Sequence, residues 1–118
     1  YPTLTELASL PEPKHLEGKS LVPVLRNPKA TIKPAAYTQH PRPAYFKGEP
    51  EAMGYSMRTG TARYTEWRDW KTGQLLAREL YDHAVDPGEN HNVAAKNPKR
   101  THTLAEQLRR QFPVRTHE

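Results

Sequence analysis

Apolar and polar residues alternate on both sides of one turn in residues 53–67, MGYSMRTGTARYTEW, and this is the clearest element of the chain. Tyr55, Met57 and Thr59 interleave with Ser56 and Arg58, Thr59-Gly60-Thr61-Ala62 supplies a glycine-containing turn, and Arg63, Thr65 and Trp67 interleave with Tyr64 on the return. Successive side chains of a strand point to opposite faces, so the pattern predicts a β-hairpin. A hairpin alone is marginal in water and needs further strands, or a helix, on its apolar face.

The flanking sequence supplies candidates. Residues 35–39 (AAYTQ) predict a third strand among the prolines Pro34, Pro41, Pro43 and Pro50. Residues 76–82 (LARELYD) predict a fourth, lying between the turns Lys71-Thr72-Gly73-Gln74 and Asp86-Pro87-Gly88-Glu89. In the second turn proline presets a dihedral and Gly88 is expected to permit the reversal. Asn97 then reads as a cap and Pro98 as the first residue of a helix, in which Leu104, Leu108 and Phe112 recur four apart until Pro113. The expected fold class is α+β, a four-stranded antiparallel sheet with one face covered by a C-terminal helix.

Upstream, Leu4, Leu7 and Ala8 share one face of a helix begun at Pro2, and Ser20 is placed to cap a short helix over residues 21–25 that Asn27-Pro28 stops. Two short apolar helices with no strand beneath them read as the last helices of a larger α/β domain. On that reading residues 1–29 close the larger domain, residues 30–118 form a subdomain, and the chain is a C-terminal piece.

Composition supports dependence on a neighbour. Only 35% of the 118 residues are hydrophobic, so the core that this chain can bury alone is thin. No apolar run approaches the roughly 20 residues of a membrane span, which argues against a membrane partner. There is no cysteine, hence no disulfide, thiolate nucleophile or thiolate metal site. The net charge of +5 is compatible with an anionic partner.

Four segments, residues 37–43 (YTQHPRP), 53–59 (MGYSMRT), 63–67 (RYTEW) and 79–94 (ELYDHAVDPGENHNVA), resemble in order and spacing the C-terminal subdomain of the formylglycine-dependent sulfatases, most closely the iduronate-2-sulfatase branch. Residues 1–11 and 16–25 likewise resemble the last helices of that family's alkaline-phosphatase-like catalytic domain. His40 stands where an aromatic residue is common in the branch. The resemblance implies sulfate-ester hydrolysis by a formylglycine beside a calcium ion, both expected in an N-terminal catalytic domain, with no cofactor in this chain. It also implies a sulfated saccharide substrate and a secreted, periplasmic or lysosomal setting.

The formylglycine arises in a C/S-x-P-x-R motif, and the nearest match here, Ser9-Leu10-Pro11-Glu12-Pro13, has Pro13 in place of the arginine. No catalytic residue is therefore assigned in this chain. The resemblance places YTQHPRP near the mouth of the substrate pocket, which makes Gln39, His40 and Arg42 the candidate substrate-binding residues. An arginine fork can hold a uronate carboxylate with two parallel hydrogen bonds, and prolines on both sides restrict the backbone of Arg42. A salt bridge from Arg42 to the catalytic domain is the competing role.

Other constellations are weaker. Arg58 could face the catalytic domain or simply solvent. His83, Asp86, Glu89 and His91 do not follow zinc or EF-hand spacing, and turn formation explains Asp86 and Glu89. Arg58, Arg63, Tyr64, Trp67, Arg68, Trp70 and Lys71 mix bases with aromatics as a single-strand nucleic-acid platform would, but the RRM aromatic signature is absent, so no nucleic-acid partner is expected. The stronger alternative is a non-catalytic carbohydrate-binding module in which Trp67 and Trp70 stack on sugar rings.

Overall fold

The computed structural model describes residues 1–45 and 47–115. It divides the chain into two compact units, Tyr1–Pro34 and Ala35–Glu118.

In the first unit α1 (Pro2–Leu7) and α2 (Val22–Arg26) are each a turn or two long. Both carry proline in the first turn, where a missing N–H costs no helical hydrogen bond. The Ser20 hydroxyl accepts from the Val22 amide at 3.1 Å, and Thr3 Oγ1 accepts from the Leu21 amide at 2.9 Å. The buried positions differ from those that the leucine spacing predicts. Pro2 and Thr5 are buried in α1, whereas Leu4 and Leu7 are 68% and 59% exposed. Six residues turn too few times to bury a full apolar stripe, and Thr5 can be buried because its hydroxyl donates to the Pro2 carbonyl at 2.8 Å.

The second unit contains the expected α+β architecture. Strands β1 (Ala35–Arg42), β2 (Ala52–Thr59), β3 (Ala62–Asp69) and β4 (Leu75–Asp82) form an antiparallel sheet in the order β1-β2-β3-β4, and α3 (Pro98–Gln111) packs on one face. β1 runs three residues beyond the predicted Gln39, through Pro41. Edge position permits this, because a proline there forfeits at most one ladder bond and β1 has only β2 beside it.

Side-chain alternation then sorts the sheet into two faces. Met57, Tyr64 and Leu80 lie beside one another in register and are fully buried beneath Leu104, Ala105 and Leu108 of α3. Phe112, just past the helix, closes this core against Tyr37 and Tyr55, with ring centroids 6.0 and 5.0 Å apart. Burying a leucine such as Leu108 stabilises the fold by about 1.5–3 kcal/mol, and all four strands and the helix share one small, continuous core. Asn97 caps α3, its side chain accepting from the Arg100 amide.

Two turns are made differently from the sequence expectation. Gly60 does not adopt a positive φ; instead Thr59 Oγ1 accepts from the amides of Ala62 and Thr61, at 3.1 and 3.4 Å. In Asp86-Pro87-Gly88-Glu89 the left-handed residue is Glu89, with φ 56°, and not Gly88. Hydrogen bonds from the His91 amide and the Asn90 side chain to the Asp86 carboxylate hold that turn.

Candidate functional site

Strand alternation separates the three candidate binding residues. Gln39 is paired with Tyr55 and lies on the α3 side of the sheet, in a cleft of about 320 Å³ that Met53, Trp70 and Phe112 also line. His40 is paired with Gly54, and Gly54 with Trp67, which puts His40 and Arg42 on the face away from α3. A constellation of His40 and Arg42 is therefore compatible with one site, but Gln39 is directed elsewhere.

Arg42 is the better-defined member. Its guanidinium carbon lies over the Trp67 ring, 4.0 Å from the centroid, within the range where a cation is attracted to the indole face. Trp67 is held in turn by its indole N–H, which donates to Glu79 Oε1 at 3.1 Å. Across the strand pair the ring lies against Gly54: a Cβ at that position would stand 2.8 Å from two of its carbons. Absence of a side chain there lets the indole lie against the strand. Glu51, next after the β1–β2 connection, donates its amide to the Arg42 carbonyl at 2.8 Å and fixes the backbone, and the Arg42–Pro43 peptide is cis.

Trp67, Gly54 and Glu79 had no role at Arg42 in the sequence reading. A signal for the first two was available: the turn at residues 59–62 sets the register of the hairpin, and that register places a glycine opposite a tryptophan. The contribution of Glu79 depends on the pairing of β3 with β4 and was not legible from local pattern.

Electrostatics distinguish Arg42 from the arginines that are tied to acids. Arg63 pairs with Glu89 at 2.6 Å, Arg100 with Asp82 at 2.6 Å, and Arg68 and Arg109 both with Glu66 at 2.9 Å. Arg58 donates to the Thr59 carbonyl. Arg42 is exposed and takes no carboxylate among the described residues. Such a guanidinium, stacked on an aromatic ring with its N–H donors uncommitted to an acid, is suited to an external anion.

The remaining constellations resolve into structural roles. His83 and Arg63 both contact Glu89 Oε1 at 2.6 Å; burial works to raise the Glu89 carboxyl, but these two bonds outweigh it and hold the group below its usual range. Among the described residues no three His, Asp or Glu side chains gather as metal ligands do. Ser9 follows α1 with φ 53° and is exposed, without the motif arginine. Tyr64 and Arg68 are buried on the α3 side while Trp67 faces the other way, so the bases and aromatics named from the sequence do not all share one face. Trp67 and Trp70 likewise do not share a surface, since Trp70 lines the cleft beside Gln39. No helix among the described residues is long and apolar enough to cross a membrane.

Comparison with known proteins agrees with the fold. The family model described as N-sulphoglucosamine sulphohydrolase, C-terminal, matches residues 1–117. Arylsulfatase K of Rattus norvegicus is 35% identical over 92% of this chain and 19% of its own length. Iduronate 2-sulfatase of Mus musculus is 33% identical over 79% of this chain and 23% of its own length. The chain thus spans about a fifth of the length of the relatives that it matches. Among solved structures, BT4656 in complex with its substrate D-glucosamine-2-N,6-O-disulfate superposes with a TM-score of 0.67 at 27% identity, over 94% of this chain and 23% of that one.

Proposed function

Because the chain belongs to the N-sulphoglucosamine sulphohydrolase C-terminal family, we propose that it is the C-terminal part of an enzyme that hydrolyses sulfate esters of saccharides, uronate 2-O-sulfates of polysaccharides such as glycosaminoglycans in particular. On this reading the N-terminal catalytic domain supplies the formylglycine and the calcium ligands, and the enzyme works in a secreted, periplasmic or lysosomal setting. This chain contributes packing and the rim of the substrate pocket, where Arg42 holds the carboxylate of the sugar and His40 lies beside it.

The observation that carries the proposal is the state of Arg42: exposed, stacked on Trp67 and without an acid partner among the described residues. A uronate offers a planar carboxylate that matches the guanidinium fork. D-Glucosamine-2-N,6-O-disulfate, the substrate in complex with one structural neighbour, offers no carboxylate, so the two substrate classes are separable by that group.

The test is Arg42→Lys in the full-length enzyme, assayed on a 2-sulfated uronide. Lysine keeps the charge but loses the fork, and kcat/KM is expected to fall by an amount equivalent to about 1.5–3 kcal/mol with little change in thermal stability. If melting temperature or yield falls while activity per folded molecule holds, Arg42 is a domain clamp and the substrate role is refuted. The 118-residue chain alone is expected to release no sulfate from an aryl sulfate; turnover by it that is abolished in Ser9→Ala would overturn the placement of the nucleophile elsewhere.

A further inference from the structure

The side chain of Arg42 is long, exposed and attached to the last residue of an edge strand, so by itself it would sample many rotamers. Three features restrict it. The Trp67 ring lies beneath the guanidinium, Glu79 fixes the indole through its N–H, and the bare backbone of Gly54 receives the ring. Each belongs to a different strand: Gly54 to β2, Trp67 to β3 and Glu79 to β4. A guanidinium held over an aromatic face directs its N–H groups outward, around the rim of its own plane, which is where a carboxylate accepts two parallel hydrogen bonds.

Resting on the reading of Arg42 given above, we infer that Trp67 is its positioning residue, and that Glu79 and Gly54 set the indole so that the enzyme discriminates in favour of substrates bearing a carboxylate beside the sulfate ester. Trp67 acts through Arg42 and makes no contact with the reacting atoms. The selectivity of the site is thereby built across the sheet and not in the segment that carries the arginine.

The experiment uses full-length enzyme with two probes, an aryl glycoside of a 2-sulfated hexuronic acid and its methyl ester. The readout is the ratio of kcat/KM for acid to ester, which is insensitive to the fraction of enzyme that is folded. Arg42→Ala should lower the ratio by about 10- to 100-fold, the worth of a charged hydrogen bond. Trp67→Leu should lower it by about tenfold and Trp67→Phe by much less, because phenyl retains a face for the cation. In an Arg42→Ala background Trp67→Leu should cause no further loss.

The outcomes separate the two claims. An unchanged ratio in Arg42→Ala removes the carboxylate role, and the positioning role with it. A collapse in Arg42→Ala without one in Trp67→Leu, or an equal loss from Trp67→Leu whether or not Arg42 is present, overturns the positioning role and leaves Arg42 as the carboxylate ligand. Should Trp67→Leu not fold, Glu79→Gln and Glu79→Ala decide: both remove the charge but only glutamine keeps an acceptor for the indole, so the ratio should be lower in the alanine variant. Equal ratios overturn the inference.

Discussion

Arg109 of α3 reaches across the helix–sheet interface to Glu66 of β3, its Nη2 2.9 Å from Oε1 and its Nε 3.2 Å from Oε2. Glu66 is fully buried and also accepts from the Tyr64 hydroxyl at 2.9 Å and from Arg68 Nε at 3.0 Å. Arg68 Nη2 stands 2.9 Å from the same carboxylate without the alignment of a hydrogen bond, and Arg68 Nη1 donates to the Phe112 carbonyl at 2.8 Å. Glu66 and Arg68 together thus tie β3 to the last turn of α3 and to the residue that follows it. Burial, reinforced by the neighbouring Glu66, pushes the Tyr64 hydroxyl well above its usual range and keeps it a donor.

Removing Glu66 should therefore be far more damaging than removing Arg109. Glu66→Ala leaves the buried Arg68 without its counter-ion and is expected to cost about 3–5 kcal/mol in a urea titration. Arg109 is nearly half exposed, so Arg109→Ala should cost only about 1 kcal/mol. Equal losses from the two would show that the network is not centred on Glu66.

Asn92 should behave as a surrogate strand. Its Oδ1 accepts from the amides of Leu80 and Ala94, at 3.1 and 3.0 Å, and its Nδ2 donates to the Arg78 carbonyl at 3.1 Å. Leu80 is a core residue, so Asn92→Ala strands its N–H away from solvent and is expected to destabilise by about 1–3 kcal/mol. Faster amide exchange at Leu80 in the variant is the check; unchanged exchange would refute the assignment.

Acid should weaken the fold through Asp82 and Asp86. The Ala84 amide, then Arg100, hold the Asp82 carboxyl below its ordinary range, and the amides of Asn90 and His91 do the same for Asp86. A folded-state pKa below the unfolded value gives stability that is complete above the unfolded pKa of about 3.9 and is lost as pH falls through the folded pKa. The urea midpoint should thus change little on acidification to about pH 5 on account of these groups and fall below about pH 4. Asp82→Asn should start lower at neutral pH and decline less steeply in acid; a slope equal to the parent's would exclude Asp82 as a contributor.

Gly54→Ala tests the seat of the indole independently of catalysis. The new Cβ would meet Trp67 at 2.8 Å, and the ring is restrained by Glu79, so the expected cost is about 1–3 kcal/mol, together with a shift of Trp67 fluorescence. Gly60→Ala is the control, since nothing lies within 4 Å of a Cβ there, and it should be close to neutral.

By itself the sequence determined the elements of the sheet unit and its family. Period-two alternation located β2 and β3, four-residue spacing located the inward face of α3, and the motifs from YTQHPRP to ELYDHAVDPGENHNVA pointed to the sulfatases, because each of these signals is local or linear. Tertiary structure alone decided which faces the side chains share. It parted Gln39 from His40 and Arg42, since pairing in register assigns each residue of β1 to one side of the sheet. It buried Glu66 and Arg68 in what alternation treats as apolar ground, because the two pair with each other and a helix brought Arg109 to Glu66 from 43 residues away. And it gave Arg42 a seat built from three other strands, a relation created only when non-local pairing brings those strands together.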